Sequence, residues 1–123
     1  MSMDFNEKAL SKIVVDAVKS YHESTQARKP LIIVTTLTSA NTEYPIRLPA
    51  GCKRYSLKVR TDDVDLLVSF TKGHVDGATP RGEYFTLNAG RSHDEASLQL
   101  DNEFTIYVAC ATAAKVVETV AWF

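Results

Sequence analysis

Residues that could perform chemistry are concentrated in the segment Ser92-His93-Asp94-Glu95. Serine, histidine and an acidic residue make up a hydrolase triad, but in such triads the three side chains come from separate elements that converge in space. Contiguous residues of these types are more typical of turns. We therefore expect a polar loop ahead of a strand at residues 96–100. The hydrolase alternative requires His93 to meet a distant nucleophile.

Metal and cofactor sites are not predicted either. His22, His74 and His93 lack the i, i+4 helical or i, i+2 strand spacing that brings ligands to one metal. The aspartates between residues 62 and 65 lack the loop length and further ligands of a calcium site, which favours an acidic turn. No glycine opens a helix as a phosphate-binding loop does. We therefore expect no metal, no cofactor and no catalytic residue, and predict that the protein is not an enzyme.

Length and composition set the broad class. With 123 residues and a net charge of −1, the chain suits one domain and lacks the basic excess of a nucleic-acid-binding protein. Its longest apolar runs are far shorter than the roughly 20 residues of a membrane span, and no signal peptide is indicated. Cys52 and Cys110 are the only cysteines. Two reduced thiols are favoured over a disulfide, since oxidised scaffolds are mostly richer in cysteine.

The first 30 residues predict an amphipathic helix and a linker. Asp4 and Glu7 have the spacing of a capping box. Apolar residues then follow at i, i+3, i+4 spacing, namely Ala9, Leu10, Ile13, Val14, Ala17, Val18 and Tyr21. Residues 22–30 have no apolar period and end in a proline, as a linker does. We predict two units, the helix and linker at 1–30 and a β domain at 31–123.

From residue 31 onward the pattern is that of short strands separated by turn residues. Eight strands are predicted, at residues 31–38, 44–48, 54–60, 64–71, 83–87, 96–100, 104–111 and 116–123. Alternation predicts a core of Tyr55, Leu57, Val59, Val64, Leu66, Val68, Phe70, Phe85, Leu87, Ala96, Leu98, Leu100, Ile106, Val108 and Cys110. The inward face of the last strand is not resolved by its pattern. Such a series of strands is typical of a β-sandwich or barrel.

The strand at residues 54–60 carries Arg54, Ser56, Lys58 and Arg60 on its outward face. This set is first the solvent face of a half-buried strand. It can also be a binding surface if the protein lies against a larger assembly. Aromatic residues on the strands indicate core or cross-strand pairs, and a carbohydrate-binding platform is the alternative.

Several sequence features together resemble small β-sandwich structural proteins of tailed bacteriophages. They are the turn and basic strand "LPAGCKRYSLKVR", the aliphatic "VDLLVSF", the strand and turn "YFTLNAG", the strand "TIYV" and the C-terminal "VETVAWF". The likeness covers about residues 36–123. It implies an eight-stranded antiparallel, jelly-roll-like β-sandwich, and within that group a head decoration or cement protein. The N-terminal helix departs from the plainest pattern of the group.

The resemblance also implies partners and a location. A decoration protein has no cofactor, forms a homo-oligomer, and binds the major capsid protein or other virion proteins after synthesis in the host cytoplasm. The alternatives are a head-to-tail connector, a tail component or a fibre component, and, from another class, a carbohydrate-binding module. The predicted assembly surface combines the helix stripe and the basic strand: Leu10, Ile13, Val14, Val18, Arg54, Lys58 and Arg60.

Overall fold

The structure, a computed structural model, describes residues 30–123. These residues form eight β-strands and no helix. The strands are β1 (Leu31–Leu37), β2 (Tyr44–Leu48), β3 (Arg54–Val59), β4 (Leu66–Ser69), β5 (Phe85–Leu87), β6 (Ser92–Glu95), β7 (Phe104–Ala109) and β8 (Lys115–Trp122). The predicted class, mainly β with eight strands, is confirmed for this part of the chain. The helix predicted within residues 1–30 lies outside the described residues.

The strands form two antiparallel sheets of four strands each. Sheet A has the order β1-β8-β3-β6, and sheet B has the order β2-β7-β4-β5. Consecutive strands lie in different sheets at every connection except that between β4 and β5. In sheet A the last strand, β8, lies between β1 and β3. Sheet A therefore contains both the first and the last strand of the described chain.

The two sheets share one hydrophobic core. Sheet A contributes the inward-facing side chains of β3, and sheet B contributes those of β4 and β7. Fully or almost fully buried members include Tyr55, Leu57, Leu66, Val68, Ile106, Val108 and Cys110, all predicted from alternation. Burial of one face per strand explains the polar and apolar alternation, because successive side chains of a strand point to opposite faces.

The sixth strand differs from the prediction. Residues 92–95, expected to be a polar loop, form β6, which pairs with β3 through Tyr55↔Glu95 and Leu57↔His93. The segment expected to be a strand is not one, and Ser97 within it has a φ of 61°. A left-handed residue interrupts extended backbone. Pairing with a neighbouring strand thus outweighs the low β propensity of the polar segment.

Two further core assignments at strand ends are corrected. Phe70 is 46% exposed, because β4 ends at Ser69 and the chain leaves the sheet there. Ala96 is exposed for the same reason, since it follows the end of β6. The inward face of β8, left open by the sequence, consists of Val117, Thr119 and Ala121.

Thr119 provides a stability prediction. Its side chain is fully buried, and its Oγ1 has no hydrogen-bond partner among the described residues. A buried unsatisfied hydroxyl costs about 1–3 kcal/mol. We expect Thr119→Val, which keeps the shape and removes the hydroxyl, to stabilise the fold by about 1 kcal/mol and raise Tm by about 3–6 °C. Thermal unfolding followed by circular dichroism measures this, and an unchanged or lower Tm would contradict it.

Candidate assembly surface

The outer face of sheet A carries the predicted basic residues of β3. Arg54 and Lys58 are exposed on β3 while Tyr55 and Leu57 are buried, so the two basic side chains share the outward face. Arg60 is exposed just beyond the strand, and its backbone N–H still donates to Val116 O at 2.8 Å. The structure therefore places all three predicted basic residues in one row at the middle of sheet A.

This basic row is partly neutralised by its neighbours on β8. The Arg60 Nε lies 3.5 Å from Glu118 Oε2, and Lys58 is directly opposite Glu118 in the strand register. Arg54 instead stacks over the ring of Trp122, with its Cζ 4.6 Å from the ring centroid. Exposed pairs of this kind contribute little to stability. They hold the long basic side chains in defined directions across the sheet.

A negative charge borders the row on its other side. The pKa of the Asp94 carboxyl lies below its ordinary value, chiefly because of a hydrogen bond with the Ser56 side chain. Ser92 Oγ also donates to Asp94 Oδ2 at 3.2 Å, and the positive charge of Arg54 acts in the same direction. The face is therefore a mixture of both signs, which suits oriented contact with a protein better than attraction to a polyanion.

The other half of the same face carries exposed apolar side chains. On β1, Ile32 is 66% exposed and Val34 is 53% exposed. The register pairs Ile32 with Val120 of β8 and Val34 with Glu118, and Trp122 lies two residues beyond Val120 on the same strand. Val120 and Trp122 are half-buried. Sequence reasoning missed this patch, although the uninterrupted run of apolar residues from 31 to 34 on a strand was a signal that both faces are apolar.

The predicted stripe of Leu10, Ile13, Val14 and Val18 lies outside the described residues. The structure therefore brings Arg54, Lys58 and Arg60 together and leaves the helical half of the predicted surface as a prediction. The patch on β1 and β8, like that predicted stripe, consists mainly of apolar side chains.

The Ser-His-Asp-Glu segment is divided between the two faces of β6. Ser92 and Asp94 are exposed, and His93 and Glu95 are half-buried. Because neighbouring residues on a strand point in opposite directions, Ser92 and His93 are on opposite faces of the sheet. This alternation keeps the contiguous serine and histidine apart and does not assemble the triad that their types suggest.

His93 lies in an aromatic cluster at one end of the core. Its ring centroid is 4.9 Å from that of Phe85 and 5.6 Å from that of Tyr55. His93 Nε2 and the Tyr55 hydroxyl are 3.1 Å apart and share a hydrogen bond. Burial raises the pKa of the Tyr55 hydroxyl, and the nearby Glu95 raises it further. The phenol therefore stays neutral and acts here as a hydrogen-bonding partner of the imidazole.

An open cavity adjoins this cluster. It has a volume of ≈ 220 Å³ and is lined mainly by residues 68–71 and 83–85. Phe70 contacts Phe104 with 5.5 Å between ring centroids, and Tyr84 is 41% exposed. Tyr55 and Phe85 are thus core or cross-strand residues as expected, whereas Phe70 and Tyr84 present aromatic surface to solvent.

The acidic turn before β4 has structural partners. Asp63 Oδ2 lies 2.9 Å from Lys115 Nζ, and Asp65 Oδ1 accepts a hydrogen bond from the Ala89 N–H at 2.8 Å. The pKa of Asp63 lies below its ordinary value because Thr61 and then Lys115 hydrogen-bond to its carboxylate. Over residues 30–123, no three histidine, cysteine or acidic side chains are grouped as a metal site requires.

Both cysteines are free and buried in the core. Cys52 Sγ donates to Arg54 O at 3.2 Å, and burial raises the pKa of its thiol. A raised pKa leaves less of the reactive thiolate at neutral pH. Both thiols are buried, whereas a reactive cysteine is at least partly exposed. Separately, none of the described residues form a helix that is long and apolar enough to cross a membrane.

No protein family and no curated protein matches the chain. Among solved structures, the chain is similar to a de novo designed double-stranded beta-helix determined by solution NMR. The TM-score is 0.44 and the identity is 12%, over 78% of this chain and 100% of the other. A likeness of this degree carries no argument about function.

Proposed function

We propose that this chain is a non-enzymatic structural protein of a tailed-bacteriophage virion, acting as a homo-oligomeric decoration or cement protein on the capsid. The observation that carries the proposal is the outer face of sheet A, where exposed Ile32 and Val34 on β1 are separated by β8 from the basic row of β3. Exposed apolar surface with a polar border is typical of protein interaction sites. The phage assignment itself rests on the sequence resemblance.

The strand order supports the finer fold assignment in this proposal. We assign the two sheets to a jelly-roll sandwich, since the eight strands form sheets of order β1-β8-β3-β6 and β2-β7-β4-β5, with a change of sheet at every connection except β4 to β5. Viral capsid proteins share this architecture with lectins and cupins. The fold is therefore compatible with a virion protein but also with other classes of protein. The functional assignment depends on the surface of the molecule.

The mechanism would be mechanical. A decoration protein that spans two capsid subunits buries apolar area against both, so separating the subunits exposes that area to water. The gain is roughly 25 cal/mol per Å² of apolar surface before association costs are subtracted. The patch on β1 and β8 supplies such area, and Arg54, Lys58 and Arg60 orient the protein and make binding sensitive to salt.

The proposal is tested by cosedimentation of the full-length chain with capsids, and with tails from the same phage. Binding to capsids supports a decoration role, and binding to tails alone supports the connector, tail or fibre alternative. Binding to neither overturns the virion proposal.

Reversing the basic row gives a sharper prediction. We expect the double variant Lys58→Glu, Arg60→Glu to bind capsids about tenfold more weakly. The new carboxylates would repel the acidic groups that the native basic row is proposed to face on the capsid. The matched control is Lys72→Glu, Arg81→Glu, which makes the same charge change at exposed positions outside sheet A. Equal loss of binding in both variants would mean that net charge, and not this face, matters.

A carbohydrate-binding module remains the second candidate, favoured by the exposed rings of Phe70 and Tyr84 beside the ≈ 220 Å³ cavity. Exposed aromatic rings present a flat apolar surface on which a sugar can stack. Retention on a glycan array that is lost in Phe70→Ala would support this function in place of the first.

A further inference from the structure

The two sheets have four edge strands, and three of them carry features that prevent pairing with another chain. β2 contains Pro45 and the exposed Arg47. β6 consists of polar and charged residues, and β5 has only 3 residues. Proline, charge and short length are recognised ways in which natural proteins protect a sheet edge. These three edges therefore need no partner.

The fourth edge, β1, has none of these features. It is 7 residues long, with the sequence LIIVTTL, and contains neither proline nor a charged residue. Within residues 30–123 it pairs only with β8, since it is the outermost of the described strands of sheet A. A long, uncharged, apolar edge strand left open is a site of strand addition or aggregation.

The exposure of β1 is found on both of its faces. Ile32 and Val34 are exposed on the outer face, and Leu31, on the inner face, is 39% exposed. Ile33 is only half-buried although it packs against the core. A helix laid on sheet A would cover the outer face alone. A strand added at the edge would give hydrogen-bond partners to the outward backbone groups of β1 and would shield side chains on both faces.

We propose that β1 pairs antiparallel with β1 of a second copy of this chain, which joins the two A sheets into one continuous eight-stranded sheet. The inference rests on the proposed assembly role and names the first contact of the homo-oligomer. The edge is suited to itself, because no like charges would face each other across the pair. A two-fold contact uses the same edge on both copies and so leaves no unprotected β1 behind. Centring the pair on Val34 lets all 7 residues of each strand take part.

The test uses the full-length chain and compares its mass in solution, by light scattering on a sizing column, with that of Val34→Lys. We expect the native chain to have the mass of two chains and the variant the mass of one, because two lysines would lie opposite each other at the centre of the pair. The matched control, Thr86→Lys, places the same exposed charge on the edge strand β5 and should remain a dimer. Ile32→Lys serves as a second variant if Val34→Lys does not fold.

A cross-link tests the register directly. Paired Cα atoms in an antiparallel ladder are about 4.5–5.5 Å apart, within the range that a disulfide spans. We expect oxidised Val34→Cys to form a covalent dimer and Thr86→Cys to remain single, since Cys52 and Cys110 are buried.

A native chain that is monomeric at micromolar concentrations, or a Val34→Lys variant that stays dimeric, would overturn the strand-pairing proposal. Capsid cosedimentation of the same samples is read separately. A monomeric native chain that still binds capsids would contradict only the strand-pairing proposal. A dimer that binds no virion component would contradict only the proposed virion role.

Discussion

Leu57→Asp is expected to abolish soluble folding. Leu57 is fully buried on β3, and its neighbours in the core come from both sheets. The change loses about 1.5–3 kcal/mol of apolar burial. Keeping the new carboxyl neutral at pH 7 costs about 4 kcal/mol more, given its ordinary pKa near 3.9. The sum, about 6 kcal/mol or more, is comparable to the whole stability of about 5–15 kcal/mol that a domain has.

The matched control is Lys58→Asp, one residue along the same strand. Lys58 is exposed on the outer face, so this variant should remain soluble and unfold cooperatively. Soluble yield and thermal unfolding of the two variants measure the difference. A Leu57→Asp protein that melts cooperatively near the native temperature would show that the inward face of β3 is assigned wrongly.

Deletion of residues 1–30 is expected to reduce assembly much more than folding. Every member of the described hydrophobic core belongs to residues 37–121, so the truncated chain keeps that core. The sequence places Leu10, Ile13, Val14 and Val18 on one helical stripe, which we propose docks onto a neighbouring subunit. Burying such side chains contributes about 1.5–3 kcal/mol each before association costs. We therefore expect capsid binding to weaken by at least about 100-fold, or about 3 kcal/mol.

Thermal unfolding and cosedimentation of the truncated chain decide this together. An unfolded product would mean that the stripe belongs to the core of its own chain, and normal assembly would mean that residues 1–30 are dispensable. Point variants of the full-length chain provide the control. Ile13→Lys should repeat the loss of binding, whereas Ser11→Lys, outside the predicted stripe, should not.

The strand pattern could be predicted because local alternation reports burial. Tyr55, Leu57 and Val59 alternate with polar residues, and the structure buries all three. The same alternation placed Arg54 and Lys58 on one outward face. These assignments need only the two-residue period of a strand and one buried face.

Strand pairing across the fold could not be predicted from local pattern. Residues 92–95 have turn-like composition, yet they form a strand, because they pair with the side of β3 that β8 does not occupy. Phe70 has the right parity for the core, but it lies beyond the end of β4 and is exposed. Contacts distant in sequence decided both outcomes.

The amino-acid sequence by itself determined that residues 31–123 form short alternating strands, and which side chains of most strands turn inward, since alternation is a local property of extended backbone. Only the tertiary structure decided which strands are neighbours and which lie at an edge. Val116, Val120 and Trp122 share a face with Glu118, and that face is outward because β8 directs Val117, Thr119 and Ala121 at the opposite sheet. The edge position of β1 among the described strands likewise depends on the order of strands in the sheet, which local pattern does not give.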